Sequence, residues 1–439
     1  MSELLTPVDG MKIMRDAMLA PGVYYLPHGI EIGADHVTLD GNGALLIGDD
    51  FQERGVSVRQ HSGVTLRNLR IERYYHGIWA SGGANIRVQN NAVTRTHELA
   101  GPDVFLDVWL DRSRAYGGGI FLSGVVDSFV QDNDVQHQQN GILLYGCNHV
   151  EIARNNASYN SGCGILLYES SQNTVDGNTA DFCCRIYHYD AAGERYHNGA
   201  DAAALVIMCN SSRNTITHNR LRGSGDGVFL GGFHKDAIKV PCNDNVFAYN
   251  DGSNSPNIAF EATFSQRNLF RENRADHCNY GFWLGYSSLT TVQNNSIRGN
   301  RTAGVAIEQG YGNTIRDNQF ERNRDGVQLW TGAQPAFTNY FPDCAETYDT
   351  AITGNTFSRH DQAVHIWSEK LRDGSAARRC HHLTLSGNTI SDNRVGVLLE
   401  RVRDSVVQNN RILENPEAGV KMVGCKDISV EANEMEKHA

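Results

Sequence analysis

Two glutamates give the strongest chemical signal in this 439-residue chain. Glu261 closes the segment Asn257-Ile258-Ala259-Phe260-Glu261, and Glu308 closes a similar one, Gly304-Val305-Ala306-Ile307-Glu308. Both segments read as short strands, whose successive side chains point to opposite faces. With Ile258 and Phe260 inward, Ala259 and Glu261 face outward, and so do Ala306 and Glu308. The segment between them, Gly281-Phe282-Trp283-Leu284-Gly285, places Trp283 and Gly285 outward by the same count. Glutamate is disfavoured in strands, so two outward carboxylates beside an indole read as a site. One carboxyl protonating a leaving oxygen while the other activates water is the chemistry of glycosidic cleavage.

Two aspartates compete for these roles. Asp226 lies in Gly223-Ser224-Gly225-Asp226-Gly227, at the lip of the strand one coil before Glu261, and Asp201 ends Asn198-Gly199-Ala200-Asp201. Between glycines, Asp226 also reads as a turn residue.

The elements that position these groups come from a repeat. Asn-Thr-Ile-x-x-Asn, a polar turn and Gly-Ile-x-Leu recur along the chain. The closing Asn falls at Asn91, Asn133, Asn155, Asn178, Asn219, Asn250, Asn273, Asn295, Asn318, Asn355, Asn388, Asn410 and Asn433. A bare unit of 22 or 23 residues emerges, interrupted five times. So short a unit cannot bury a core alone, but stacked copies can, each strand pairing in parallel with its equivalents in neighbouring coils. Asparagines at equivalent turns then form hydrogen-bonded ladders, and the crossover preference makes the winding right-handed.

On this pattern the chain resembles the right-handed parallel β-helix proteins, the pectate-lyase-like superfamily that includes NosD-type repeats. The resemblance spans roughly residues 35–435 and implies an all-β, single-domain parallel β-helix of about 13–14 coils. It implies no particular reaction, because that fold hosts hydrolases, lyases, epimerases and tailspikes. The chain lacks the Asp-Asp pair and Gly-His-Gly signature of the polygalacturonan hydrolases of that superfamily, so their catalytic residues are not carried across. Residues 1–34 are expected to form a cap and the first strand. Asp9 is read as the N-cap of a short helix carrying Met11, Ile13, Met14, Met18 and Leu19, and Val23-Tyr24-Tyr25-Leu26 as the first strand. The chain stops barely past its last repeat, and a weakly capped end there suggests truncation or burial of that end in a homo-oligomer.

The interruptions fall near 94–117, 181–200, 233–243, 331–348 and 368–381, all flanking the Gly-Ile-x-Leu strand. Loops on both sides of one strand stack make a groove. Its floor, read by alternation, holds four of the five tryptophans: Trp79, Trp283, Trp330 and Trp367. Planar rings suit the faces of sugars, although inserted loops could instead bury the early rings as a second core. Trp283, Trp330, Trp367, Tyr280, His277, Gln328, His365, Phe229 and His197 are the candidate substrate contacts.

Parallel neighbours lie about 4.8 Å apart, so Glu261 and Glu308, one coil between them, are expected to sit about 9.6 Å apart at the backbone. With Gly285 leaving room between, a carboxyl separation of roughly 6.5–9.5 Å is within reach, the spacing of an inverting pair.

Composition narrows the alternatives. A net charge of −11 argues against nucleic acid and mildly against polyanionic glycans, unless a local basic patch reverses this. No apolar run is long enough to span a membrane, and no metal spacing or cofactor motif stands out. The absence of a visible secretory leader and ten irregularly spaced cysteines favour reduced thiols and a cytoplasmic location, with an extracellular or periplasmic one the alternative if a leader has been removed. The expected partner is an oligo- or polysaccharide. A glycoside hydrolase or transglycosylase is the leading reading. A polysaccharide lyase or uronate C5-epimerase, using Lys235, Lys239, Arg271 or Arg274, is the alternative. A non-catalytic glycan-binding protein is the third.

Overall fold

The computed structural model describes residues 4–99, 106–189, 195–198, 202–234, 236–332, 335–369 and 378–435. They fall into two compact units, Met1–Gly227 and Val228–Ala439. Each is a parallel β-helix. In the first, strands from Met11–Ile13 and Ile30–Ile32 through Arg54–Arg59, His76–Ser81, Gly118–Ser123, Ile142–Tyr145 and Ile165–Tyr168 to Ala203–Met208 pair in parallel, coil upon coil. In the second, the equivalent strands are Ile258–Thr263, Tyr280–Trp283, Ala303–Glu308, Asp325–Thr331, Gln362–Ser368, Val395–Glu400 and Ala418–Val423. Three-residue strands such as Leu269–Arg271 and Ser296–Arg298 stack on the remaining faces.

The asparagine ladders run as the repeat requires. In the first unit the Asn91, Asn133 and Asn155 side-chain amides each donate to the next asparagine's Oδ1, at 3.0, 2.9 and 3.0 Å. In the second unit the chain runs from Asn250 to Asn433 without a break. Within the ladder the amides are filled: Asn155 Oδ1 takes the backbone and side-chain N–H groups of Asn133, while its Nδ2 reaches Val130 O and Asn178 Oδ1. A buried amide filled to this capacity is one of the few polar groups a core accepts without penalty. The residue before each ladder asparagine adopts a left-handed conformation, as at Asn294 (φ 55°) and Gly354 (φ 66°), which turns the corner between two strands. Inside, rings stack between coils: Phe260 on Phe282 at 5.1 Å, Phe247 on Phe270 at 4.6 Å, Phe320 on Phe357 at 4.6 Å.

The N-terminal helix does not form. Met11–Ile13 and Ala17–Leu19 are strands of the coil itself, so the winding begins well before residue 35. Asp9 caps no helix. Its carboxylate accepts the His28 backbone N–H and contacts the His28 ring, both at 2.7 Å, in the next coil. Two short strands joined by a sharp corner put Ile13 and Leu19 inward with Met14 exposed, and that burial mimics helical spacing over so few residues.

In the first unit the insertion before Gly118 folds down onto the sheet. Tyr145 and Tyr168 hydroxyls reach the Leu110 and Trp109 carbonyls, both at 3.4 Å. Trp79, Phe121, Leu143, Tyr145, Leu166 and Tyr168 are all buried. The early aromatic floor is therefore a second core.

Candidate active site

In the second unit the core decides where the two glutamates stand. Stacking of Phe260 on Phe282 pairs Glu261 with Trp283. That outward column continues through Ala306, Gln328, His365 and Leu398. Glu308 belongs to the adjacent outward column, with Trp330, Trp367 and Glu400. Gly285 lies beneath Glu308 itself: a Cβ built on it would be 3.9 Å from the Glu308 Cβ. The expected column Glu261–Gly285–Glu308 is thus off by two residues. Two steps along the strand and two coils across place the glutamate backbones about 12 Å apart. Alternation is blind to a shift of two, because it leaves every side chain on its original face.

Glu308 has a different neighbour. A Cβ on Gly332 would stand 3.2 Å from Glu308 Oε1 and 3.5 Å from Glu369 Oε2, so both carboxylates converge on the space that this glycine leaves empty. Gly332 follows the strand Asp325–Thr331, and the Glu369 backbone N–H donates to Thr331 O at 3.0 Å, which fixes the second carboxylate beside the first. Glu369 was not singled out in the sequence, although alternation from Trp367 puts it outward. It falls at the start of the fifth insertion, where the repeat pattern ends.

Burial pushes the Glu308 carboxyl above the ordinary glutamate range. A hydrogen bond from the Trp330 side chain opposes this, and repulsion from Glu369 adds to it. Behind Glu308, Tyr286 is buried with its hydroxyl 3.0 Å from Gln309 Oε1. Phe337 and Phe341, from the insertion after Gly332, pack on Tyr286, Phe264 and Phe233 and keep this side apolar.

Along the floor, Trp330 and Trp367 stack in parallel at 5.0 Å, and Trp283 meets Trp330 edge-on at 5.5 Å. Tyr280 lies against Trp283 at 4.9 Å. Trp330 is nearly covered, while Trp283 and Trp367 keep part of their rings open. One coil on, His365 sits between Asp325 (3.9 Å) and Glu400 (3.5 Å) with its ring against Trp367. Buried Asp325 accepts from Gln328, and from Gln362 in the amide orientation that satisfies the network.

His277 lies exposed in a left-handed turn, its ring beside Gly299. Asp226 is buried at the start of the strand Asp226–Gly231, its backbone N–H bonded to Ala202 O in the first unit. Phe229 is half-buried on that strand. His197 belongs to a strand, Arg195–Asn198, that pairs with Ile186–Tyr189 as a hairpin, but its side chain lies outside the described residues, as does Asp201.

The family model of the right handed beta helix region matches residues 30–230 and 204–368. A second model, the periplasmic copper-binding protein (NosD), matches residues 343–439. Among the described residues no group of three His, Cys, Asp or Glu is placed to hold a metal ion. In the NosD-matched stretch Cys380 is buried against Thr331 and the Trp367 carbonyl. The described residues of that stretch therefore assemble no copper site. No curated protein matches the chain. Solved structures with a similar fold include the A-module of a mannuronan C-5 epimerase from Azotobacter vinelandii (13% identity, TM-score 0.36, covering 97% of this chain and 92% of that one). A periplasmic alginate epimerase (11%, 0.42, 94% and 79%) and a lacto-N-biosidase from Eubacterium ramulus (11%, 0.37, 90% and 62%) are also similar. With parallel coils throughout both units and the family model spanning most of its length, the chain belongs to the right-handed parallel β-helix family.

Proposed function

We propose that the chain is a carbohydrate-active enzyme of the glycoside hydrolase or transglycosylase type, with Glu308 as proton donor and Glu369 as its partner. The convergence of the two carboxylates on the space above Gly332 is the observation that supports this reading. Glu308, protonated more readily than an ordinary glutamate, delivers its proton to the glycosidic oxygen as the bond to the anomeric carbon breaks and the electron pair leaves with that oxygen. Glu369 either bonds to the anomeric carbon or takes a proton from the attacking water. The two oxygens can be no farther apart than the sum of their distances to one point, 3.2 and 3.5 Å. Such closeness favours the short spacing of retaining enzymes, roughly 5–5.5 Å, over most of the inverting range. Trp283 and Trp367 offer sugar-stacking faces beside the pair.

A product screen over plant, algal and bacterial oligosaccharides tests the proposal. Released reducing sugar from the intact protein, lost in Glu308→Gln, is the expected result. Growth of ultraviolet absorbance from an unsaturated product would replace it with a lyase, and a sugar bound without turnover would leave glycan binding alone. Those bases considered for a lyase or epimerase that the structure describes each have a partner elsewhere. Lys239 lies over Phe341, Arg271 bonds the Tyr249 hydroxyl and Arg274 pairs with Asp276, while Lys235 falls outside the described residues. The periplasmic name of the family matched at 343–439 supports a location outside the cytoplasm rather than the cytoplasmic one expected.

A further inference from the structure

The first unit has a cleft of its own, ≈ 750 Å³ in volume, between the strand Arg54–Arg59 and the insertion before Gly118. Three arginines line it, Arg54, Arg112 and Arg114, against a single acid, Glu53. In a chain of net charge −11 that is a local reversal of sign.

Arg54 is the built part of the site. Its guanidinium lies 3.8 Å from the centroid of Trp79, whose ring is parallel to Phe121, 2° between planes. Held by cation–π attraction on a ring that is itself packed, the guanidinium is a fixed fork rather than a loose surface charge. Among the described residues no carboxylate makes an ion pair with Arg54 or Arg112, and Arg114 meets only exposed Asp111, at 3.6 Å. Half-burial destabilises the Arg54 charge, repulsion from Arg59 adds to this, and the pull of Glu53 is the smallest of the three effects. A partly desolvated cation that no carboxylate contacts is held at a cost that a bound anion would offset.

The opposite wall is equally fixed. The Tyr75 hydroxyl donates to Ala115 O at 2.9 Å, and buried His76 contacts Tyr116 O at 3.2 Å, anchoring the insertion that bears Arg112 and Arg114. Gln52, Gln60, Ser81 and Ser123 supply hydrogen-bonding groups suited to hydroxyls. The volume is that of a small-ligand site.

We infer that this cleft binds an anionic saccharide, its carboxylate or sulfate seated on the Arg54 fork between Arg112 and Arg114 and its hydroxyls on the surrounding amides and serines. This binding site is independent of the carboxylate pair in the second unit and stands whatever reaction that pair performs.

Calorimetric titration of the full chain with trigalacturonate, a sulfated trisaccharide and neutral cellotriose tests it. The expected result is binding of at least one charged trisaccharide, weakening as salt is raised, with cellotriose at least tenfold weaker. The carboxylated and sulfated probes show which oxyanion is preferred. Arg54→Gln lowers that affinity at least tenfold. Because Arg54 also packs on Trp79, the exposed double variant Arg112→Gln/Arg114→Gln provides the second reading and should lose at least fivefold with an unchanged melting temperature. Binding in Glu308→Gln should equal that of the parent. No binding by either charged probe, equal binding of cellotriose, or full binding by the double variant would overturn the inference. Loss of turnover in Glu308→Gln alongside any of these would leave the proposed function in place.

Discussion

Glu308 and Glu369 point carboxylate oxygens at the same empty volume above Gly332, 3.2 and 3.5 Å from where a Cβ would stand. They come from different coils, and the second lies just past the end of its strand. A side chain on Gly332 would occupy the space between them. Gly332→Ala is therefore expected to lower turnover at least tenfold while leaving the fold intact, checked by activity and circular dichroism on the same sample.

Removing either carboxylate is expected to cost about 10²–10⁴ in kcat, the usual share of general acid–base catalysis. For Glu308→Gln the stability sign is also fixed. The folded-state pKa lies above the ordinary value, so ionisation destabilises the fold as pH rises past the normal glutamate range. The amide avoids this, and its melting temperature at neutral pH should equal or exceed the parent's. A clear drop would mean that Glu308 is structural.

The pH profile follows from the same group. An acid that acts protonated keeps activity at low pH and loses it as pH rises through its raised pKa. Trp330→Phe keeps a ring against Trp367 but removes the hydrogen bond that lowers the Glu308 pKa. The alkaline limb of kcat/KM should move to higher pH in this variant.

Trp367 is part of the open floor and contributes no proton. Trp367→Ala should raise KM severalfold with a smaller effect on kcat, measured under initial-rate conditions.

Buried His76 sets an acid limit on stability. Burial depresses its pKa to about 3, with contact to the Tyr116 carbonyl opposing this. A histidine whose folded pKa lies below its unfolded value stabilises fully above about pH 6.5, and the contribution is lost as pH falls from there toward 3, roughly 1.4 kcal/mol per pH unit at most. His76→Gln should flatten denaturant stability against pH across that window.

The asparagine ladder offers a test of the fold alone. Asn295→Ala deletes the acceptor of two Asn273 N–H groups and donors to Phe270 O and Asn318, all buried. The cost should be on the order of 3 kcal/mol in denaturant unfolding. Asn433→Ala, at a partly open coil that water reaches, should cost under about 1 kcal/mol.

The repeat was legible because its constraint is local and recurs. Each ladder asparagine, each left-handed corner and each inward apolar pair answers to one coil and its neighbours, so thirteen asparagines on a 22- or 23-residue unit with five interruptions dictated the parallel coil. Glu308, Trp283, Trp330, Trp367 and His365 were legible for the same reason, since alternation fixes the face of a strand. Three things needed the tertiary structure. The register of Glu261 followed from phenylalanine stacking, because a two-residue slip preserves every face. The fate of the early rings followed from an insertion folding down on them rather than walling them. The partner of Glu308 followed from a glycine and a glutamate 37 residues apart in sequence that the coil brings together. Periodicity determines which way a side chain points, and only packing between coils decides what it meets.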